Sequence, residues 1–223
     1  MNLKEDENIF SVLNGEVKNH PDKIEHKIIS NIEHGALSKV NSIVVHRTAA
    51  STAQSTLNAW KTKKSGAHFL IDKNGKIYQT ARLDKKCWHM GYVVSRCRLE
   101  VSCTEEDTKI IKGILHGSGR WSEKFKKVLQ HERKKDYPDR YPMNSDSIGI
   151  EIVGLYLGSS TSDKGLFEEL TTDQASSFLW LVTKLLEYYK LSLSDDVYAH
   201  GAVARKKINE GSTALDWLKE NYK

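Results

Sequence analysis

The feature that most constrains this chain is a short apolar run, residues 42–45, that leads directly into His46. Val44 and Val45 branch at Cβ and therefore favour an extended backbone, and the run is too short for a buried helix. It predicts a buried strand with His46 as its last residue. Because the rim of a sheet holds a side chain rigidly beside an open loop, a histidine placed there is a candidate ligand or catalytic group. Taken alone, a hydrogen-bonded structural histidine is the commoner interpretation.

Four further segments have the pattern of β-strands. Residues 68–72 and 76–80 flank Asn74-Gly75, which is the strongest short hairpin signal. In residues 147–154, isoleucines at every second position share one face, so Glu151 takes the other face. A carboxylate inside an apolar strand is costly unless it has a partner or a chemical role. Residues 197–200 form a second short strand that ends in histidine, His200.

The remaining segments define the predicted organisation of the chain. A capping box at residues 171–174 opens the longest predicted helix, whose apolar residues recur at helical spacing and are expected in the core. Residues 1–40 are predicted to be an N-terminal extension with a short helix over 23–31, and residues 41–223 to be the main domain. Residues 92–145 interrupt the sheet pattern and lack the apolar content for a core of their own. We therefore predict a partly helical insertion that caps a groove.

Length and composition exclude several classes of protein. A chain of 223 residues with a mean hydropathy of -0.54 suits one globular domain. No apolar stretch is long enough to span a bilayer, and residues 1–7 lack the features of a signal peptide. The net charge of +5 is modest and its basic residues are mostly dispersed, which argues against nucleic-acid binding and leaves a weak attraction to anionic polymers such as cell wall.

The three cysteines, Cys87, Cys97 and Cys103, lie in one short region without Cys-x-x-Cys spacing, which argues against a structural zinc knot. An odd number leaves at least one free thiol in the monomer. If the protein reaches an oxidising compartment such as a periplasm, the best-placed pair is Cys97 and Cys103, which would close a small loop.

Two strands that end in histidine and one that carries a glutamate form a set that suits a catalytic zinc site. Zinc in hydrolases takes three protein ligands and leaves a fourth position open. The ion acidifies water, and a nearby carboxylate accepts the proton as the water attacks a carbonyl. Because the candidate ligands are far apart in sequence and no HExxH motif is present, spacing alone does not establish the site.

Five sequence words, in this order, resemble the zinc N-acetylmuramoyl-L-alanine amidases of the type-2 amidase and peptidoglycan recognition protein family. They are IVVHRTA at 43–49, AHFLID with NGKIYQ at 67–79, WHMG at 88–91, Asn144 with SIGIEIVG at 147–154, and His200. The resemblance implies an α/β fold with a mixed central β-sheet flanked by helices. It also implies a groove for a glycan strand and its stem peptide, and hydrolysis of the amide that joins N-acetylmuramic acid to L-alanine.

The resemblance also implies roles for single residues. His46 and His200 would bind Zn²⁺, and Glu151 would be the general base that accepts a proton from the attacking water. Trp88, His89 and Asn144 would line the substrate groove. For His89, a turn residue packed beside Trp88 is an equally good interpretation.

The chain departs from the family at the third zinc ligand, which is commonly an aspartate in a Lys-x-Asp-Pro-Gly word ten residues after the second histidine. That distance leads to Glu210, whereas alignment of the word puts Asn209 in the aspartate position. We predict Glu210, because an anionic oxygen is the better zinc ligand. The tyrosine that some members use against the oxyanion is replaced by Ala67, so Lys206 or Lys207 would supply the stabilising charge.

The biological setting stays open at this stage. Residues 139–149 resemble amidases of this family that bacteria deliver into rival cells by type VI secretion, with a cognate immunity protein as partner. The chain would then be made in the cytoplasm and act on the cell wall, in the periplasm of a target cell. A prophage lysis enzyme and a cytoplasmic muropeptide-recycling amidase fit equally. A metal-free peptidoglycan receptor of this fold would lack a ligand or the base, whereas this chain has candidates for all of them.

Overall fold

The fold is known from a computed structural model that describes residues 10–159, 161–162 and 165–223. The predicted absence of a signal peptide in residues 1–7 lies outside the described residues. The described strands are β1 (Val12–Leu13), β2 (Glu16–Val17), β3 (Ile24–His26), β4 (Glu33–Ala36), β5 (Ser42–Arg47), β6 (Phe69–Ile71), β7 (Ile77–Gln79), β8 (Lys85–Cys87), β9 (Ser147–Ile152) and β10 (Val197–Ala199). The described helices are α1 (Ala53–Thr62), α2 (Arg96–Leu99), α3 (Glu105–His116), α4 (Trp121–Glu132), α5 (Thr172–Tyr189), α6 (Leu193–Asp196), α7 (His200–Val203) and α8 (Ser212–Asn221).

The centre of the fold is a six-stranded mixed sheet with the strand order β10-β5-β9-β6-β7-β3. Strands β10, β5, β9 and β6 run parallel, β7 is antiparallel to β6, and β3 is parallel to β7. Strand β5 lies between β10 and β9, and each of its residues is buried. A strand covered on both faces needs the continuous apolar run found in residues 43–45. This confirms the predicted α/β fold with a mixed central sheet.

The two faces of the sheet have different tasks. One face presents Ile43, Val45, Ile148 and Ile150, which pack with apolar residues of α5 and α8 in the main core. This arrangement confirms that the isoleucines of β9 share one face. The other face carries His46 and Glu151 and lies under the segments that build the site. None of the described helices combines the length and apolar character needed to cross a bilayer.

Helix α5 begins as its sequence predicts. The Thr171 hydroxyl accepts a hydrogen bond from the Gln174 amide at 3.1 Å, and the Gln174 side chain accepts one from the Thr171 amide at 3.2 Å. This capping box satisfies two amides that the first turn would otherwise leave unpaired. The predicted hairpin is also confirmed, because β6 and β7 pair antiparallel around Gly75, whose φ is +79°.

The N-terminal segment differs from its prediction. The expected helix over residues 23–31 is wrong, because Ile24–His26 is a strand and Ser30–Ile32 is a single 3-10 turn. Ile24 pairs with Ile77 of β7, so β3 extends the central sheet. A strand of only three residues has too short an alternation of apolar and polar side chains to be distinguished from a short helix by sequence. The predicted boundary at residue 40 therefore does not coincide with a break in the sheet.

The insertion at residues 92–145 is partly helical and contains α2, α3 and α4. Asp107 on α3 contacts His131 at 2.6 Å and Lys135 at 3.1 Å, which ties α3 to the end of α4. A disulfide joins Cys97 to Cys103, as predicted, and Cys87 is a buried free cysteine.

A buried histidine on this framework makes the fold sensitive to acid. His68 is fully buried, accepts a hydrogen bond from the Gly149 amide at Nδ1 and donates from Nε2 to the Lys85 carbonyl. Burial lowers the pKa of His68 from 6.5 to about 4. In the unfolded chain His68 is protonated below about pH 6.5, whereas in the folded chain it is protonated only below about pH 4.

We predict that the protein, kept in a chelator so that no metal contributes, loses stability as the pH falls from 6.5 to 4. Each pKa unit is worth about 1.4 kcal/mol, so the contribution of His68 approaches about 3 kcal/mol. In His68→Asn, which keeps an acceptor for Gly149, the unfolding free energy from denaturant titrations should vary less with pH. An equal pH dependence in both proteins would contradict this assignment.

Candidate metal centre and catalytic cleft

The register of the sheet brings the predicted site residues together. Ala199 of β10 pairs with Val45 of β5, so His200 at the start of α7 lies beside His46. On the other side of β5, His46 is the register partner of Glu151 on β9. The Nδ1 atoms of His46 and His200 are 2.8 Å apart. Strand β5 runs one residue further than predicted, to Arg47.

Glu210 completes a triad with the two histidines. Its Oε1 lies 2.6 Å from Nδ1 of His200 and 3.4 Å from Nδ1 of His46. The following residue, Gly211, has a φ of +83°, and a Cβ there would lie 2.2 Å from the Val45 carbonyl oxygen. Only glycine therefore lets this segment approach β5 closely enough to place Glu210.

The alternative third ligand is placed elsewhere. The side-chain amide of Asn209 donates a hydrogen bond to the Gly165 carbonyl at 3.2 Å. Among the described residues, His46, His200 and Glu210 are the group of potential ligands whose donor atoms lie within 4.8 Å of one another. The geometry therefore favours Glu210 over Asn209 as the third ligand.

The protonation of the triad suits a metal ion. Burial, together with the neighbouring His200, lowers the pKa of His46 to about 4, so its imidazole is neutral near pH 7. Burial alone would raise the pKa of Glu210, but hydrogen bonds from His200 and His46 outweigh it and hold the pKa well below its ordinary value. Neutral imidazole and ionised carboxylate are the forms that bind metal, and two nitrogens with one carboxylate oxygen are a donor set of catalytic zinc. The residues present therefore fit Zn²⁺.

Glu151 lies next to this triad, and one of its carboxylate oxygens makes no hydrogen bond. Its Oε2 is buried and has no hydrogen-bond partner. Burial, reinforced by the negative charge of Glu210, raises the pKa of Glu151 to about 8. A carboxyl with a strongly raised pKa in a cleft is a candidate for proton transfer.

The cleft that contains these groups has a volume of about 500 Å³. Lys206 lines it, whereas Lys207 lies over the Tyr156 ring, 4.9 Å from its centroid. Lys206 is therefore the better placed of the two predicted cations. The walls include the three predicted groove residues, Trp88, His89 and Asn144.

These three residues differ in what they contact. Trp88 is 48% exposed, lines the cleft and stacks on His34 with 3.8 Å between the ring centroids. His89 is only 8% exposed, and its Nδ1 lies 3.0 Å from Nε2 of His46. Asn144 Oδ1 accepts hydrogen bonds from the backbone amides of His89 and Met90. His89 is thus a buried neighbour of a metal ligand and not a simple turn residue beside Trp88.

Several residues of the site were not found from the sequence, and three of them illustrate why. Ser147 contacts His89, His34 supports Trp88, and Arg133 at the end of α4 lines the cleft. Ser147 lies in the same sequence word as Glu151, which was a usable signal. Nothing in the local sequence marks His34 or Arg133, because only the fold brings them to the cleft.

A model of the N-acetylmuramoyl-L-alanine amidase family matches residues 36–212. The chain belongs to this family. The amidase therefore has a His46-His200-Glu210 zinc centre, and peptidoglycan is the substrate that its family implies. No curated protein matches the amidase sequence at a significant level.

Solved structures share the fold of this amidase. A selenomethionine derivative of AmpD is 16% identical, with a TM-score of 0.54 over 96% of this chain and 99% of that one. AmpDh3 from Pseudomonas aeruginosa is 19% identical, with a TM-score of 0.52 over 81% of this chain and 59% of that one. The catalytic domain of XlyA is 20% identical, with a TM-score of 0.50 over 88% and 99%. At these identities the likeness concerns the fold.

Proposed function

We propose that this amidase cleaves the bond between N-acetylmuramic acid and L-alanine in the wall of a target cell, with Glu151 as general base and Lys206 as electrostatic stabiliser. The observation that carries the proposal is the unpartnered Oε2 of Glu151 beside a complete His-His-Glu triad. A receptor that only binds peptidoglycan would need neither group, and a buried carboxylate without a partner is costly to retain.

The residues of the cleft divide the reaction between them. A bound zinc ion would supply a Lewis acid that acidifies water and polarises the scissile carbonyl. Glu151 in its ionised form, which the nearby positive charge of Lys206 favours, accepts the proton of the attacking water and returns it to the leaving amine. Lys206 places a positive charge near the developing oxyanion. The exposed ring of Trp88 offers an apolar platform for the substrate at the cleft wall.

The disulfide supports a site of action outside a reducing cytoplasm. Cys97 and Cys103 are joined in the insertion, and such bonds persist in oxidising compartments. We therefore favour a secreted antibacterial effector, or a lysis enzyme that reaches the wall, over a cytoplasmic muropeptide-recycling amidase. An effector of this kind requires a cognate immunity protein in its producer, and the open cleft is the surface that such a partner would block.

The test combines zinc analysis with digestion of purified sacculi. We expect about one zinc per chain and release of stem peptides that begin at L-alanine, read by mass spectrometry and abolished by a chelator. Expression directed to the periplasm of a test bacterium should lyse the cells, whereas cytoplasmic expression should not.

The possible results distinguish the proposed enzyme from a wall-binding module and from a recycling enzyme. Folded protein with neither zinc nor cleavage would overturn the enzyme and leave a wall-binding module. Cleavage of soluble muropeptides without cleavage of sacculi or lysis from the periplasm would support the recycling enzyme instead.

A further inference from the structure

The distal nitrogens of both zinc-binding histidines contact the same short segment. This segment, Trp88-His89-Met90-Gly91, is here called the strap. Nε2 of His46 lies 3.0 Å from Nδ1 of His89, and Nε2 of His200 lies 2.9 Å from the Met90 carbonyl oxygen. Two ligands that come from different strands are therefore held at their far ends by adjacent residues of one loop.

When Nδ1 of His46 binds a metal ion and carries no proton, the contacts form a chain with only one arrangement of protons. His46 presents Nδ1 to the triad, so its Nε2 carries the proton and donates to Nδ1 of His89. His89 must then carry its own proton on Nε2, which lies 3.2 Å from the Ser147 hydroxyl. That hydroxyl donates to the Met143 carbonyl at 2.7 Å. Because the chain ends at a carbonyl that can only accept, the tautomer of each ring is fixed.

The strap is itself locked by one side chain from the end of the insertion. Asn144 Oδ1 accepts from the backbone amides of His89 at 3.0 Å and Met90 at 2.9 Å. Gly149 on β9 leaves the space for the His89 ring, since a Cβ there would lie 2.9 Å from Nδ1 of His89. The residues that Asn144 holds are the same two that hold the zinc ligands.

We propose that His89 and Asn144 are positioning residues that fix the orientation and tautomers of the two zinc-binding histidines. The His89 ring orients His46, and the Met90 carbonyl orients His200. Asn144 holds the backbone of His89 and Met90 in place. Partners of this kind typically change metal affinity 10- to 100-fold when they are removed. This inference rests on the zinc centre and not on the bond that the enzyme cleaves, so it can fail or succeed independently of the proposed function.

The experiment measures zinc affinity by competition with a chromogenic chelator. His89→Leu and Asn144→Leu should each bind zinc about 10- to 100-fold more weakly than the parent protein. Asn144→Asp keeps an oxygen acceptor for the two amides and should stay close to the parent affinity. In the Co²⁺-substituted proteins, the visible absorption bands should change in both leucine variants and be retained in Asn144→Asp, because the bands report ligand geometry.

His68→Asn is the matched control. His68 is another fully buried histidine, with its ring 5.9 Å from that of His89, but its nitrogens contact Lys85 and Gly149 and no zinc ligand. It should lower the unfolding free energy of the zinc-free protein without changing zinc affinity or the Co²⁺ spectrum. The proposal is overturned if the leucine variants fold and bind zinc like the parent, or if zinc affinity follows the loss of stability equally in all variants.

Discussion

Replacing Glu151 with glutamine should reduce turnover by about 10²- to 10⁴-fold, the range that general acid-base catalysis contributes, while zinc content stays unchanged. Glutamine has nearly the same shape as glutamate but cannot accept the proton of the attacking water. Glu151 is outside the His46-His200-Glu210 triad, so the metal ligands remain in place. The measurements are kcat on a soluble muropeptide and zinc per chain.

The structure gives a reason to expect that Glu151→Gln folds. Oε2 of Glu151 has no hydrogen-bond partner to lose, and burial already favours the neutral form of the side chain, since its pKa is raised to about 8. The variant should therefore be at least as stable as the parent protein near neutral pH. Glu187→Gln, an exposed change on α5, serves as the control and should keep full activity. Full activity of Glu151→Gln, or loss of its zinc, would contradict the general-base assignment.

Most of the site could be predicted from sequence because its ligands are tied to strand ends. The apolar run before His46 has the continuous pattern of a strand buried on both faces, and β5 is such a strand. The period of two placed Glu151 on the face opposite the isoleucines of β9. Parallel pairing of β10, β5 and β9 then puts His200, His46 and Glu151 side by side.

The features that could not be predicted from sequence are short strands and contacts between residues that are distant along the chain. Strand β3 has three residues, too few for a periodic pattern. The role of His89 depends on a ring nitrogen of His46 and on space left by Gly149, neither of which leaves a local signal. Motif resemblance therefore placed His89 at the groove, whereas the structure also places it against a zinc ligand.

The third ligand illustrates how a sequence ambiguity is decided by chain geometry. Counting residues from His200 and aligning the sequence word gave different answers, Glu210 and Asn209. The structure decides because Gly211 packs against the Val45 carbonyl, which directs Glu210 to the triad, while the Asn209 amide bonds to Gly165. A one-residue difference in the loop thus exchanges a zinc ligand for a residue that stabilises the loop.

Replacing Glu210 with alanine should weaken zinc binding by about 100-fold or more, because loss of a direct anionic ligand exceeds the 10- to 100-fold cost of losing an outer partner. At free zinc about 100 times the parent Kd, the metal stabilises the parent by about 2.7 kcal/mol and the variant by about 0.4 kcal/mol. Zinc-dependent shifts of the unfolding midpoint measure this difference.

Two matched variants locate the effect in the carboxylate of Glu210. Asn209→Ala removes the neighbouring polar side chain, whose amide bonds to Gly165, and should keep the full zinc-dependent shift. Glu210→Gln keeps the shape but removes the charge, so its affinity should fall between those of the parent and Glu210→Ala. If Asn209→Ala lost the zinc response and Glu210→Ala kept it, the third ligand would be Asn209. The geometry argues against that outcome, because Oε1 of Glu210 lies 2.6 Å from Nδ1 of His200 and 3.4 Å from Nδ1 of His46.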